Sequence, residues 1–319
     1  DASLIAADAN RQRSTAREDW DPAAIDPDTA PRAVREYLAV LDDAAFGAAS
    51  HVEPKFTSPV DPAAQWTGAL KGHAFFAYAT NYLIDTDNAI IVDVETTRAI
   101  RQAEVGAART MIDRTMDRFG LYPERLIADS AYGSAPMLGW LVEERGIAPH
   151  IPVFDKSGRR DGTYQRADFA YDRRADAYVC PAGKTLRQFH RPAGSYGTPR
   201  SGVDAEGMMR YRASKRDCDV CPLKPRCCPG QPQRKIMRSI HEGARDMARE
   251  IATTDEYVIS RRFRKKVEML FAHLKRILRL DRLRLRGPCG ARDEFHLAAA
   301  AQNLRKLAKL KAPPTARPA

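Results

Sequence analysis

No run of about 18 consecutive apolar residues occurs in this 319-residue chain, so nothing in it reads as a membrane-spanning helix. The opening DASLIAADAN has neither a basic stretch nor a long apolar one, so it does not read as a secretory leader. Both absences predict a soluble, cytoplasmic protein. Acidic residues are also scarce: 41 Asp and Glu stand against 52 Lys and Arg, a net charge of +11. The imbalance is concentrated in residues 206–319, which hold 28 basic and 12 acidic residues. A surface this basic attracts polyanions. Nucleic acid is the commonest of these, because each neutralised phosphate releases counterions. The plain alternative is a basic protein whose charge serves solubility alone. A hydrophobic content of 44% is enough to build one large core or two smaller ones.

Along the chain, residues 1–70 alternate short patterned pieces with loops rich in Pro and Asp, with a helix predicted from about Pro31 to Leu41. The runs 74–84 and 89–95 are β-rich and flank DTDN, which predicts a hairpin. From Thr97 to Gly120, Ile100, Val105, Ala108, Ile112, Met116 and Phe119 recur at near-helical spacing, and glycine closes the run. A short strand then ends at Asp129, a helix covers 135–146, and 147–153 reads as one more strand. This order suits a mixed α/β sheet better than a doubly wound one. Periodicity fades from Asp155 to about Gln233, as in an inserted module. Helical patterning returns from about Ser239 to Lys311, and the tail APPTARPA is expected to be disordered.

One stretch of that helical region, SRRFRKKVEMLFAHLKRILRL (260–280), sets a single glutamate among basic and apolar residues. On a 3.6-residue helix Phe263, Val267, Leu270, Phe271, Leu274 and Leu278 form an apolar stripe, and Arg261, Arg264, Glu268 and Lys275 share its edge. Taken alone, Glu268 is a surface i,i+4 partner of Arg264, contributing a few tenths of a kcal/mol, roughly. Two other carboxylates change its meaning. Asp129 closes an apolar strand, where packing gives no reason for an acid and where α/β sheets place their ligands. Asp1 opens another patterned stretch. Three converging carboxylates repel one another unless divalent cations lie between them. Such a site is a two-metal centre for in-line phosphoryl transfer, and all-oxygen ligands suit Mg²⁺ or Mn²⁺.

The spacing Arg264-x3-Glu268-x6-Lys275 resembles the Y-x2-R-x3-E-x6-K signature of bacterial insertion-sequence transposases of the DDE class, and IADSAYGS resembles that family's second-aspartate motif. DPAAQW, the 74–95 hairpin and AQNLRKL are similar to the branch that includes IS4, IS5 and, most of all, IS1182. The resemblance implies that Asp1, Asp129 and Glu268 are the three catalytic, metal-binding carboxylates, and that Arg264 and Lys275 contact phosphates. Arg276 and Arg279, with Arg282, Arg284 and Arg286, would continue a basic track along the DNA backbone. As the plain alternative, each of these is an ordinary helix-face cation. The signature's tyrosine position is Arg261 here. Because the family's first strand extends further upstream, the chain as given is expected to start within a longer reading frame and without the family's N-terminal helical domain. If Asp1 is not the first carboxylate, Asp8, Asp85 and Asp87 are the alternatives, the last two fitting a hairpin turn better.

Cys180, Cys218, Cys221 and Cys227 or Cys228 give C-x37-C-x2-C-x5-C or x6-C, ligand spacing suited to tetrahedral zinc. Reduced buried thiols and redox chemistry are the alternatives. A reducing compartment disfavours disulfides, and a weakly apolar module of this length needs a staple. The 138 residues between Asp129 and Glu268 leave room for the cysteine-rich insertion that the resembled family often carries. Its rims, with Arg210, Arg212, Lys215, Arg216, Lys224 and Arg226, would grip DNA. Cys289 lies apart as a core thiol, and His73, His150 and His273 read as packed or surface histidines. The expectation is a ribonuclease H-like α/β core, with a mixed sheet and helices over 1–154 and 236–311. It is interrupted by a zinc-ribbon-like insertion at 155–235 and ends in a tail at 312–319. Its predicted function is metal-dependent cleavage of double-stranded DNA at element ends with strand transfer, by a homodimer. Two rival readings are a nuclease without strand transfer and a non-catalytic DNA-binding remnant.

Overall fold

The computed structural model describes residues 1–39, 54–68, 72–100, 103–155, 158, 161–189 and 202–311. The end of the predicted first helix and the tail at 312–319 lie outside the described residues. The chain first forms β1 (Ala2–Ala6), β2 (Thr15–Ala16), α1 (Arg32–Ala39), β3 (Phe56–Thr57), β4 (Gln65–Thr67), β5 (Phe75–Asp85) and β6 (Ile90–Arg98). There follow α2 (Ala103–Phe119), β7 (Arg125–Ile127), α3 (Ala135–Gly139) with a π turn at Trp140–Glu144, and β8 (Ala148–His150). Next come β9 (Ala170–Asp172), β10 (Ala177–Val179), β11 (Thr185–Gln188), β12 (Met208–Arg212), α4 (Lys215–Asp219), α5 (Lys224–Cys227) and β13 (Lys235–Ser239). The helices α6 (Glu242–Ile251), α7 (Asp255–Arg276) and α8 (Gly287–Lys311) complete it. This is a mixed α/β chain in two compact units, Asp1–Ala131 with Asp255–Ala319, and Tyr132–Thr254.

The first unit is organised by β5. Ala77 pairs with both Ala6 and Gln65, and Tyr78 to Asn81 pair with both β1 and β6, all antiparallel. Strand β1 therefore lies along one edge of β5, while β4 and β6 share the other. Residues 76–82 are all buried, so β5 is covered on both faces. Alternation explains the division of labour. Phe76, Tyr78 and Tyr82 enter a core with Ile5, Val267, Phe271, Leu274 and Phe295. Ala77 and Ala79 point the other way, and their small side chains, with Ala103, Ala107 and Ala108 of α2, allow the helix to approach.

The predicted hairpin is present, with Asp85 capping its turn by accepting from the Asp87 and Asn88 backbone N–H groups at 3.0 Å each. The helix after it begins later than periodicity suggested, because Thr97 and Arg98 still pair in β6. Its buried face is Ala103, Ala107, Ala108, Met111, Ile112 and Thr115, while Met116 and Phe119 are exposed. The large side chains near its end misdirect a reading based on size, and the alanines carry the contact. Helix α7 carries its apolar stripe as expected, with Val267, Phe271 and Leu274 buried.

AQNLRKL proves to be a clasp. Gln302 accepts from the Tyr82 hydroxyl at 3.2 Å and donates to the Leu270 carbonyl at 2.8 Å. Asn303 exchanges two hydrogen bonds with the Ile91 main chain, 2.9 and 2.8 Å, as a neighbouring strand would. In DPAAQW the buried Asp61 accepts from the Tyr78 hydroxyl at 2.6 Å.

The second unit is built on an antiparallel sheet in the order β13-β12-β11-β10-β9. Phe169, Tyr178, Leu186, Tyr211 and Ile236 form its core with Cys218, Cys227 and Cys228. Beside it, Glu242 opens α6 with a side chain 1% exposed and is held by Arg166 at 2.7 Å, Arg245 at 2.8 Å and Arg249 at 2.9 Å. Burial alone would raise its pKa, but the hydrogen bond and charge of Arg166, with Arg245 and Arg249, bring it down to about 2. A depressed carboxylate stabilises the fold above its ordinary value of 4.5, and that contribution is lost as pH falls toward 2. Glu242→Gln should therefore cost about 3–5 kcal/mol at pH 7, since it strands buried guanidinium groups, and the difference from wild type should shrink in acid. Urea unfolding of both proteins at pH 7 and pH 3 measures this.

Candidate functional site

The carboxylates expected at the site belong to the first unit. Asp1 precedes β1 and is fixed by its main chain, its carbonyl accepting from the Tyr82 N–H at 3.0 Å. Its Oδ1 accepts from the Ala2 N–H at 2.9 Å. Asp129 stands two residues beyond β7, and its Oδ1 accepts from the Ala131 N–H at 2.8 Å, turning the chain after the strand. Among the described residues, Oδ2 of each aspartate has no hydrogen-bond partner.

Electrostatics ties these groups together. The main-chain nitrogen of Asp1 lies within electrostatic reach of the carboxylates of Glu104 and Asp129 and of the Arg264 guanidinium. The pKa of the Glu104 carboxyl is raised, by burial first and then by the Asp129 charge. Asp1, Glu104, Asp129 and Arg264 therefore share one neighbourhood. Glu268 is linked to it through Arg264, whose Nη2 lies 3.6 Å from Glu268 Oε1. The glutamate's side chain is 55% exposed, while α7 itself is seated by Phe271, which stacks on Tyr82 at 4.8 Å. Among the described residues, no three or more His, Cys, Asp or Glu side chains stand close enough together to hold a metal ion.

The basic residues divide. Burial lowers the Lys275 pKa, and Arg276 and Arg279 are exposed, Arg279 with a left-handed φ of 55°. Arg282 and Arg286 share the one carboxylate of Asp8 at 2.8 and 2.9 Å, which offsets one of their two charges, so the basic track is weaker than its sequence suggests. Asp8 is thereby occupied too. His273 bonds Gln302 and Arg305 on the side of α7 away from Glu268, and His73 is exposed.

Glu104 is the acid that sequence reading missed. It lies four residues before Ala108 and seven before Met111, on the face of α2 that packs inward. A carboxylate at helical spacing with a buried alanine face was the available signal.

In the second unit Cys180, Cys218, Cys221, Cys227 and Cys228 all line one pocket. Cys180 sits in a tight turn in which its sulfur accepts from the Lys184 N–H at 3.3 Å, and Gly183, with φ 74°, permits the reversal. Cys218 and Cys221 flank a second turn, closed by the Cys221 N–H to the Cys218 carbonyl at 3.3 Å. Burial, then the neighbouring Cys228, pushes the Cys227 thiol up to about 11, and burial also raises Cys228. Arg234 holds the Cys227 carbonyl at 2.8 Å.

The family model of the transposase DDE domain matches residues 179–308. That stretch, less than half of the chain, contains all five of these cysteines and Arg264, Glu268, Lys275, Arg276 and Arg279, while Asp1, Glu104 and Asp129 lie outside it. No curated protein and no solved structure matches the chain. The family match supports a DDE transposase, a DNA-processing enzyme. No helix among the described residues is long and apolar enough to cross a membrane.

The acid neighbourhood carries a stability signature. A carboxyl raised in the folded state favours folding while protonated, and that contribution is lost as pH rises through the folded value. Glu104→Gln should therefore raise the melting temperature at pH 7 relative to wild type, with the difference closing below the ordinary value of 4.5. Thermal unfolding from pH 4 to pH 8 provides the comparison, and a constant offset would mean that the Glu104 charge is not the cause.

Proposed function

We propose that the chain is an insertion-sequence transposase of the DDE class, IS1182-like, with a ribonuclease H-like core, acting in the cytoplasm on double-stranded DNA. It would cut at element ends and join the freed 3′ ends to target DNA, two copies working on paired ends. The observation that carries this reading is the family match, which spans Arg264, Glu268 and Lys275 on one edge of α7.

The donor type suits Mg²⁺ or Mn²⁺, since Asp1 and Asp129 each keep one oxygen unengaged and Glu268 is open to solvent, and the three side chains would have to draw together around the ions. Asp1, Asp129 and Glu268 would hold two such ions, which when bound supply an activated water or 3′-hydroxyl and stabilise the leaving oxygen. Arg264 neutralises Glu268 and would orient a phosphate near it, while Lys275, Arg276 and Arg279 would position the DNA backbone. Glu104 adds negative charge beside Asp129, strengthening the pull on a divalent cation.

We further infer that the cysteine pocket takes Zn²⁺. Its five sulfurs, from the Cys180 turn, the Cys218–Cys221 turn and the end of α5, are the donor type of a zinc ribbon, with Cys180, Cys218, Cys221 and Cys227 as ligands and Cys228 as the alternate to Cys227, and they would have to draw closer to enclose an ion. Bound zinc would staple the module and require its thiols to release their protons. Purified protein should then carry about one zinc per chain by elemental analysis. Cys218→Ser with Cys221→Ser should lower both the zinc content and the melting temperature.

The central test is cleavage of duplex DNA bearing the element's own flanking ends. Cutting and joining should depend on Mg²⁺ or Mn²⁺, fall to background in Asp129→Asn and Glu268→Gln, and persist at a reduced level in Lys275→Gln. Cleavage without joining would mark a nuclease, and binding without cleavage a DNA-binding remnant.

A further inference from the structure

Register in the second unit's sheet aligns three cations. Ala177 pairs with Arg187, Arg187 with Arg212, and Arg212 with Lys235, so β10, β11, β12 and β13 present these residues in a single row across the strands. Directly opposed residues in antiparallel strands share a face. Their neighbours Leu186, Tyr211 and Ile236 are buried in the core on the inner face, so the row lies on the outer face. Arg210 is on that face one step further along β12, and its carbonyl accepts from the Phe189 N–H at 2.8 Å. Lys184, Arg187, Phe189 and Arg212 line an open groove there, together with the single carboxylate of Asp217.

Like charges placed opposite one another across strands destabilise a sheet. Three in succession are therefore a burden on the fold. Arg187, Arg210 and Lys235 are exposed, and among the described residues no carboxylate pairs with any of them. At a strand spacing of about 4.8 Å the row spans roughly 10 Å. Duplex DNA carries one negative charge per about 1.7 Å of axis, a density that more than matches these cations. The Arg212 guanidinium covers the Phe189 ring at 3.7 Å, so the one aromatic side chain lining the groove among the described residues is closed to an unstacked base. That favours a duplex backbone over a single strand.

The geometry points to the outer face of this sheet, through Arg187, Arg212 and Lys235 with Arg210 beside them, as a surface that binds the phosphate backbone of duplex DNA without reading its sequence. It rests on the reading of the chain as a DNA-processing enzyme and places a holding surface outside the carboxylate site. The row grips the duplex while chemistry proceeds elsewhere in the chain.

The test is fluorescence anisotropy with the full chain and a labelled duplex of arbitrary sequence, titrated at several salt concentrations without Mg²⁺ or Mn²⁺. Replacing Arg187, Arg212 and Lys235 together by Gln should weaken binding about tenfold or more at 0.1 M salt, and should lower the slope of log K against log salt by about 2 to 3. Arg187→Gln with Lys235→Gln alone should melt no lower than wild type, because both side chains are exposed and their removal lessens repulsion along the row. Arg173→Gln with Arg174→Gln, in the turn between β9 and β10, serves as the comparison and should leave the slope nearly unchanged. Equal loss in both variants, an unchanged slope in the triple variant, or loss confined to single-stranded DNA would overturn the proposal. Should the triple variant fail to fold, Arg187→Glu and Lys235→Glu decide singly: several-fold weaker duplex binding supports the row, and wild-type binding overturns it. Row-dependent binding without metal-dependent cleavage would defeat the catalytic reading and leave this surface standing. Cleavage with unaffected row variants would do the reverse.

Discussion

Burial of β5 on both faces is the constraint on which the first unit depends. A strand covered twice must satisfy its backbone along both edges, and β1 with β6 and β4 does so. Its side chains are sorted by size, aromatic toward α7 and α8, alanine toward α2. A one-residue slip would send Tyr78 and Tyr82 into the space cut for alanine, so the register is fixed by volume as well as by hydrogen bonds.

That register reaches the candidate site by two routes. Through its main chain Tyr82 fixes Asp1, and through its ring it stacks on Phe271, one helical turn from Glu268. The same tyrosine thus bears on the first and the third of the proposed carboxylates. Glu104 arrives on α2, seated by the alanine face of β5, and Asp129 arrives at the end of β7. Arg264 pairs with Glu268 at 3.6 Å and also lies within electrostatic reach of the Asp1 main chain, so one cation is common to both ends of the candidate site.

Much of this was legible from residues alone. The hairpin, the α7 stripe and the position of Asp129 after a strand follow from period-2 and period-3.6 patterning, which reports which face is buried. Patterning says nothing of which side chain packs where. It therefore could not show that Met116 and Phe119 would be exposed while alanines made the contact, or that Glu104 would face inward. Weak periodicity at 155–233 reflected strands of three to five residues, too short to display alternation. Asp8 and its two arginines are separated by more than 270 residues, and no local pattern predicts such a pairing. In AQNLRKL, Gln302 and Asn303 proved to be ties between helix and strand, so that part of the motif describes the scaffold of the site more than its chemistry.

Glu242 also constrains how the second unit comes together. Arg166 reaches it from across 76 residues, while Arg245 and Arg249 come from its own helix. With the loop undocked, the acid loses a ligand that the enclosed site requires; with the helix unformed, Arg166 keeps only Asp155, at 3.4 Å. Each segment is therefore more stable with the other in place, and one buried carboxylate couples the docking of the loop to the formation of the helix.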